Sequence, residues 1–317
     1  MTDDARSVVV TVPSFKRPDR LDRLLGALAA QCESVTRAKV RVMVIDNDPA
    51  GTAQDTSRAH GVQYELEPGI GLSRVRNRAL DEAAATDADA LIFIDDDEVP
   101  QEGWLDAIIA PWCEGRADLV SGRVESTFAV PPDPWITAGG FFRRVEFTDG
   151  QLMEAAPTNN LLVDLAVVAR TGVRFDERFG STGGEDIHFT RTLRRSGARI
   201  VAAPDALVLD PVPAERATRQ WVLRRAFRVG TTTARGDIVL ASSPVARLGR
   251  RVTWIVIGTA RMIVGAARAT LGAVMRSTLH NARGSRLMAR GAGMAAGGIG
   301  IRYHEYQPRK QTDAQAT

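Results

Sequence analysis

Four consecutive acidic residues, Asp95 to Glu98, directly follow a short apolar run in the segment LIFIDDDEVP. Like charges this close disfavour one another's ionised form, and burial raises that cost further. A compensating positive group is therefore expected, and hard cations such as Mg²⁺ and Mn²⁺ prefer carboxylate oxygens. On an extended chain, Asp95 and Asp97 point to one side and Asp96 to the other. The pattern predicts a metal site at Asp95 and Asp97, with a solvated acidic turn as the alternative.

A second pair of carboxylates, Glu185 and Asp186, follows two glycines in the segment GGEDIHFTRTLRRSG. The periodicity predicts a helix from about Glu185 to near Gly197, so that both acids lie in its first turn, where the helix dipole favours them. Paired carboxylates raise one another's pKa, which suits one of them to accept a proton. The alternative is an ordinary acidic helix N-terminus.

The chain alternates between apolar, β-branched runs and amphipathic helical patterns. The runs lie at 7–13, 40–48 and 90–97, and the helical patterns at 17–31 and 71–85. This alternation predicts an α/β fold with a mostly parallel sheet covered by helices on both faces. Ligands of such sheets bind beyond the carboxyl ends of the strands, which is where Asp46 and the acidic cluster fall. The stretch from 125 to 184 is richer in Pro and Gly and is expected to be irregular.

Composition limits the class of protein. A chain of 317 residues with 44% hydrophobic residues can bury a sizeable core, as one large or two ordinary domains. Its two cysteines, Cys32 and Cys113, have no CxxC spacing, so they form neither a disulfide framework nor a zinc site. They fit a reducing cytoplasm, and the N-terminus shows no secretory signal.

The last quarter of the chain differs in charge from the rest. Residues 1–244 contain 29 basic and 36 acidic residues, whereas residues 245–317 contain 12 basic and 2 acidic ones. An acidic body with a basic tail predicts that the tail contacts something anionic. We expect an anionic membrane surface and no nucleic acid.

The tail from about Pro244 is apolar between its arginines, and Arg261 and Arg268 break it into stretches shorter than the ~20 residues needed to span a bilayer. On a helical wheel, six arginines share one arc: Arg247, Arg250, Arg251, Arg261, Arg268 and Arg276. The pattern predicts an amphipathic helix that lies in a membrane surface. In the alternative, the apolar face packs on the domain and the arginines, which have no acidic partner within the segment, point to water.

Several motifs occur in a characteristic order: VTVPSFKRPDRLDRLL, VIDNDP, GLSRVRNRAL, FIDDDEVPQEGWL, TNN and FGSTGGEDIHFTRTLRRSG. Together they resemble inverting family 2 glycosyltransferases of the bacterial exopolysaccharide or lipid-linked oligosaccharide type, over about residues 7–235. The resemblance implies a GT-A fold, which is a Rossmann-like, mixed but mainly parallel sheet flanked by helices. It also implies a nucleotide-sugar donor, a UDP-sugar here, and Mg²⁺ or Mn²⁺ as cofactor.

The resemblance also implies a role for individual residues of the donor site. Asp46 matches the acid that reads the nucleobase edge, with a turn-capping Asp as the alternative. Arg76 and Asn77 match the basic pair beside the nucleotide, with a solvated helix face as the alternative. The other matches are Pro13 and Ser14 in the loop under the nucleotide, Asp95 and Asp96 beside the ribose, and Asp97 as metal ligand together with Asp95.

On the acceptor side, Asp186 matches the catalytic base, with Glu185 beside it as a group that contacts the acceptor. Asn159 and Asn160 match a pair that lines the acceptor site. In the alternative, their side chains hydrogen-bond backbone groups of an irregular loop. His188 is either a metal ligand or, more commonly for a lone histidine, a packing residue. A basic helix contributes Arg224, Arg225 and Arg228, which either bind a phosphate or form a solvated face.

The combined prediction is a cytoplasmic enzyme, peripheral on the inner face of the plasma membrane. It comprises a glycosyltransferase domain at 1–240, a membrane-associating helical segment at 241–306 and a disordered tail at 307–317. It moves a hexose to a hydroxyl of a lipid-linked saccharide or cell-surface glycan precursor. One alternative is a non-catalytic, membrane-bound scaffold. Another is a sugar-phosphate nucleotidyltransferase, which the absence of glycine from PSFKRPDR disfavours.

Overall fold

The computed structural model describes residues 6–179 and 183–301, so the tail predicted at 307–317 lies outside the described residues. The strands are β1 (Ser7–Ser14), β2 (Lys39–Asp46), β3 (Gln63–Leu66), β4 (Ala90–Ile94), β5 (Val99–Pro100), β6 (Leu119–Phe128), β7 (Asn160–Asp164) and β8 (Ile200–Val212). The helices are α1 (Pro18–Ser34), α2 (Gln54–Ala59), α3 (Leu72–Ala85), α4 (Trp104–Cys113), α5 (Pro134–Gly139), α6 (Leu165–Thr171), α7 (Glu185–Arg195), α8 (Arg219–Val239), α9 (Pro244–Val274) and α10 (Thr278–Ile299).

These strands form one mixed sheet in the order β3-β2-β1-β4-β7-β6-β8-β5. The first four are parallel, so β1, β2 and β4 end at the same edge, with Ser14 opposite Asp46. β7 runs antiparallel to β4 and places Asn160 opposite Ile94 at that edge. The predicted α/β architecture is confirmed. The edge where β1, β2 and β4 end therefore positions the candidate site residues.

Helices cover both faces of the sheet because successive strand residues point to opposite sides. Val8 and Val10 of β1 pack against α1 and α4 on one face, where Trp104 is fully buried. Val9 packs with α3, α6 and α7 on the other face, where Phe189 is fully buried. The predicted helices at 17–31 and 71–85 correspond to α1 and α3.

The stretch from 125 to 184 is more regular than its composition indicates. It contains the end of β6, α5, β7 and α6, in addition to irregular segments. α5 begins at a proline and is capped by Asp133, whose carboxylate accepts a hydrogen bond of 2.8 Å from the amide of Trp135. β7 has only 5 residues and α6 only 7, which is too short for a clear periodicity.

The C-terminal helices α9 and α10 pair through glycines that recur every seventh residue. They are Gly258, Gly265 and Gly272 in α9 and Gly284, Gly291 and Gly298 in α10. A Cβ atom added to Gly265 would lie 2.3 Å from the backbone nitrogen of Met288. Only glycine permits such close contact between the two backbones. α10 packs in turn against α8, where Gly293 contacts the carbonyl of Phe227.

α9 is oriented with much of its apolar face outward. Val245 is 81% exposed, and Val256 and Ile263 are each 61% exposed. Arg251, by contrast, reaches the inner side, where it donates a hydrogen bond of 3.1 Å to the carbonyl of Gly298 in α10. Arg261 likewise contacts the sulfur of Met294 in α10, at 3.4 Å. Much of the apolar face of α9 therefore does not pack on the domain, although four of the six arginines of the predicted arc, Arg261 among them, are exposed as that alternative expected.

Two details of this helix were not expected from the sequence. Arg250 pairs at 3.0 Å with Asp237 of α8, an acid from outside the segment. Arg276 lies beyond the end of α9, so it is not part of the helical arc in which it was predicted. α9 has 31 residues and, alone among the described helices, is long and apolar enough to cross a membrane. Its uninterrupted apolar stretches are shorter than the ~20 residues expected of a span, but the helix as a whole qualifies because two arginines do not offset the surrounding apolar residues. The boundary predicted at about residue 240 falls between α8 and α9, and the division into domains stays a prediction.

Candidate active site

The acidic cluster forms a tight turn after β4. The strand ends at Ile94, and the amide of Glu98 donates a hydrogen bond of 3.2 Å to the carbonyl of Asp95. The expectation that residues 95–97 continue an extended chain was therefore wrong, because the chain reverses here to pair β5 with β8. In the turn, Asp96 and Glu98 are buried, whereas Asp95 and Asp97 are half-buried.

Arginines from two parts of the chain, the start of α1 and the segment before α8, offset the negative charge of this turn. Arg17 lies 3.1 Å from Asp96 and 3.3 Å from Asp97. Arg20 lies 3.1 Å from Asp97, and Arg216 lies 4.0 Å from it. Sequence reasoning did not identify these arginines. Arg17 and Arg20 could have been found, because they follow β1, whose end lies beside the end of β4.

Burial raises the pKa of three acids of the turn, Asp95, Asp96 and Glu98, so that they hold their protons more tightly than free carboxyl groups. It raises the pKa of Asp95 to about 6, although Arg76 opposes the shift. Burial also raises the pKa of Asp96 to about 6 despite its contact with Arg17. The pKa of Glu98 is raised well above its usual range by burial, and its only side-chain partner among the described residues is the amide of Asn159.

Arg76 joins the acidic turn to the N-terminus of α7. Its buried guanidinium forms an ion pair with Glu185. Burial lowers the pKa of Arg76, but the carboxylates of Glu185, Asp95 and Asp186 outweigh this and raise it above its ordinary value. Acids separated by about 90 positions in the sequence, Asp95 and Asp186, therefore lie at one site.

The two acids of α7 have different surroundings. Glu185 is buried, and burial raises its pKa while Arg76 lowers it. Its Oε2 atom has no hydrogen-bond partner among the described residues. Asp186 is half-buried, and its Oδ1 accepts a hydrogen bond of 2.7 Å from the amide of Ile187. The carboxylate of Asp186 is thus the more accessible of the two.

Asp46 and Ser14 both lie at the sheet edge but differ in their hydrogen bonds. The carboxylate of Asp46 accepts hydrogen bonds from the amides of Asp48 at 2.9 Å and Ala53 at 2.8 Å. It therefore caps the loop after β2, and Tyr64 contacts it at 3.3 Å. By contrast, the buried hydroxyl of Ser14, which follows Pro13, has no partner in the described part of the chain and can bind a ligand.

Asn77 and Asn160 are satisfied by neighbouring protein groups. The amide of Asn77 forms hydrogen bonds of 2.9 Å with both the carbonyl and the amide of Phe175. Asn160 accepts from the indole of Trp104 at 2.9 Å and donates to the carbonyl of Ala206 at 2.8 Å. His188 packs 5.0 Å from the ring of Phe179, and burial lowers its pKa.

Carboxylate oxygens of the turn are of the kind that Mg²⁺ and Mn²⁺ prefer. Among residues 6–179 and 183–301, no group of three or more His, Cys, Asp or Glu side chains is arranged to hold a metal ion. Mg²⁺ is commonly held by one or two carboxylates together with substrate phosphates. Asp95 and Asp97 would supply the carboxylates of such a set, and a substrate diphosphate would complete it.

Comparisons with known proteins show the family of the chain. The sequence pattern described as Glycosyl transferase family 2 matches residues 9–168. The succinoglycan biosynthesis protein ExoM of Rhizobium meliloti (strain 1021) is 30% identical over 245 residues, which cover 74% of this chain and 76% of ExoM.

Solved structures share the fold at low sequence identity. The mannosyltransferase PcManGT from Pyrobaculum calidifontis, in complex with GDP-Man and Mn²⁺, has a TM-score of 0.56 at 14% identity, covering 89% of this chain and 85% of that one. S. aureus TarS in complex with UDP has a TM-score of 0.50 at 17% identity, covering 94% and 93%. The chain belongs to glycosyl transferase family 2 and is a glycosyltransferase with a GT-A-like fold.

Proposed function

We propose that this glycosyltransferase transfers a hexose, with inversion, from a UDP-sugar to a hydroxyl group of a lipid-linked saccharide or cell-surface glycan precursor. The observation that carries the proposal is the meeting of the acidic turn and the N-terminus of α7 at Arg76. Inverting transfer needs a donor diphosphate site and a base for the acceptor hydroxyl within one active site. The likeness to ExoM, a succinoglycan biosynthesis protein, supports a glycan acceptor.

In this proposal, Asp186 removes the proton of the acceptor hydroxyl as its oxygen attacks the anomeric carbon. The bond between that carbon and the diphosphate breaks in the same displacement, and the electron pair leaves with the diphosphate. Asp186 suits this role because its carboxylate is only half-buried. Glu185 is held by Arg76 and positions the first turn of α7.

Asp95 and Asp97 would hold Mg²⁺ or Mn²⁺ together with the donor diphosphate, and a bound cation neutralises charge on the leaving group. Arg17, Arg20 and Arg216 pair with the acidic turn. We expect these guanidinium groups to contact diphosphate oxygens when donor binds, because their planar forks match phosphate geometry.

The acceptor substrate would be reached at a membrane surface. Two observations support this location: the outward apolar face of α9, and the absence of acidic residues from the stretch that follows Asp237 up to residue 301. We therefore propose that the protein is cytoplasmic and peripheral, with α9 lying in the inner face of the plasma membrane. α9 is joined by its glycine seam to α10, which packs on the body, and this favours a surface helix over a spanning one.

The test is the substitution Asp186→Asn, with Asp205→Asn, an exposed carboxylate elsewhere, as the control. Asp186→Asn should lower the rate of transfer by about 10² to 10⁴, the contribution typical of general base catalysis. Donor affinity should change little, because the base acts on the acceptor. Initial rates measured with a saturating donor report the rate of transfer, and calorimetric titration of the donor reports its affinity. Transfer at the wild-type rate would overturn the assignment of the base.

A further inference from the structure

A cavity of about 150 Å³ lies between the loop after α5, helix α8 and helix α10. Half of its ten lining residues are arginines, namely Arg143, Arg144, Arg225, Arg286 and Arg290. No carboxylate lines the cavity within the described part of the chain. The remaining lining side chains are apolar, including Phe142 and Val229. The lining of the cavity itself therefore offers no anion, and Arg144 reaches one outside the lining, Asp210 at 2.7 Å.

Arg225 of α8 lines the cavity beside aromatic rings, and the charge of Asp210 offsets its burial only in part. It is half-buried and stacks over two aromatic rings, at 5.6 Å from Phe142 and 5.5 Å from Trp221. No carboxylate of the described residues lies within ion-pair distance of it. Burial lowers its pKa to about 10, and the neighbouring arginines, Arg144 first, contribute to the shift.

The arginines of α10 occupy the opposite wall and lie one turn apart. Arg286 is held by the carbonyls of Gly139 and Gly140, at 3.1 and 2.6 Å. Arg290 has a buried Nε atom without a partner among the described residues, and so has Arg144 across the cavity. Burial lowers the pKa of both Arg286 and Arg290. Buried donors without acceptors are costly, so these groups are expected to have a ligand.

We propose that this arginine cavity binds a phosphate or diphosphate group, and that in the cell this group belongs to the lipid-linked acceptor. This second part rests on the proposed function. A cavity of about 150 Å³ accommodates a ligand of benzene size. Guanidinium groups bind phosphate oxygens bidentately, and the apolar wall suits the hydrocarbon attached to a lipid phosphate.

The position of the cavity fits an anchor for the acceptor. Arg144 pairs at 2.7 Å with Asp210, whose charge in turn contributes to the raised pKa of Glu98 in the acidic turn. The cavity is therefore electrostatically linked to the active site. Its other wall, α10, is the helix that carries α9 and its exposed apolar face.

The experiment is a calorimetric titration of inorganic pyrophosphate, in metal-free buffer, into the full chain and three variants. Arg225→Gln and Arg290→Gln remove cavity donors, whereas Arg224→Gln removes an exposed neighbouring arginine outside the cavity. We expect the affinity for pyrophosphate to fall roughly tenfold or more in the two cavity variants, because each loses a charge-assisted hydrogen bond. The affinity of Arg224→Gln for pyrophosphate should stay near that of wild type. Circular dichroism establishes that each variant is folded.

Two further titrations are needed. One tests whether the anion belongs to a lipid, and the other distinguishes binding in the arginine cavity from binding at the donor site. Farnesyl diphosphate should bind more tightly than pyrophosphate; equal affinities would confirm the anion site but overturn its assignment to a lipid. Titration of UDP with Mn²⁺ should be unaffected by the cavity substitutions. Pyrophosphate affinity that is the same in Arg225→Gln and wild type, or no pyrophosphate binding to folded protein, would overturn the site. Failure of UDP to bind would instead count against the proposed function alone.

Discussion

Arg76 shows how a single residue organises the site. It is buried and faces the carboxylates of Glu185, Asp95 and Asp186, so its charge offsets repulsion between groups from different parts of the chain. Removing one partner of a buried ion pair leaves the other charge uncompensated, which costs more than the pair itself contributes.

We therefore expect Arg76→Met to lower the free energy of unfolding by about 3 kcal/mol, the low end for breaking a buried pair. The double variant Arg76→Met with Glu185→Met should lose less than Arg76→Met alone, because it leaves no buried Glu185 charge unpaired. Urea unfolding followed by circular dichroism measures both. Losses that simply add in the double variant would show that the pair is not coupled.

The residues of the site could be predicted from the sequence only in part. Motif order pointed to Asp186, and the ends of apolar strands pointed to Asp95 and Asp97, because acids at strand ends fall at the ligand-binding edge of a sheet. The structure brings Asp95 and Asp186 to one site, and the roles of all three residues stay predictions. The tight turn at 95–98 could not be predicted from local pattern, since it depends on pairing between β5 and β8. The contact between Asp97 and Arg216 depends on tertiary structure in the same way.

At the scale of elements, the glycine seam between α9 and α10 is the feature most open to test. A Cβ atom at Gly265 would meet backbone, whereas one at Gly249 on the same helix would meet nothing within 4 Å. The same substitution should therefore have opposite effects at the two positions.

Gly265→Ala should lower the free energy of unfolding by about 1–3 kcal/mol through overpacking. Gly249→Ala should raise it by about 0.5–1 kcal/mol, because alanine is the better helix former. Thermal unfolding of both variants beside wild type measures the difference. A stabilising Gly265→Ala would mean that α9 and α10 do not pack closely in solution.

Long elements were predictable and short ones were not. α1 and α3 each bury a continuous apolar face, which the periodicity of Leu and Val residues reveals. β7 is short, and its residues are apolar because it lies in the middle of the sheet rather than because of a local pattern. The sequence did not determine which side of α9 packs on the protein. It shows an arc of arginines and an apolar face, but it does not show which of the two contacts the rest of the chain.

At the scale of the whole molecule, the outward face of α9 places several exposed large hydrophobic residues on a single helix, whereas the cores of the chain bury such residues in three clusters. Exposed contiguous apolar surface of this kind marks an interaction site. Residues 245–301, which carry it, contain nine arginines and no acidic residue, and this favours an anionic membrane as the partner.

The full chain should sediment with vesicles of phosphatidylcholine and phosphatidylglycerol. The double substitution Val256→Asp with Ile263→Asp should weaken this vesicle binding roughly tenfold or more, because it adds charge to the inserted face. The matched control is Val130→Asp with Val145→Asp, at positions that are 75% and 71% exposed but lie outside α9. Equal sedimentation of the α9 variant and wild type would refute a membrane role for this face.

The measurement that tests the central claim most directly is calorimetric titration of UDP, and then of GDP, with and without Mn²⁺, into wild type and Asp97→Ala. We expect UDP to bind wild type only with Mn²⁺, with GDP binding more weakly, and Asp97→Ala to lose the metal-dependent binding. This result would establish that the acidic turn exchanges its arginine partners for a cation and a diphosphate. Binding of UDP to Asp97→Ala with the affinity and metal dependence of wild type would contradict the account.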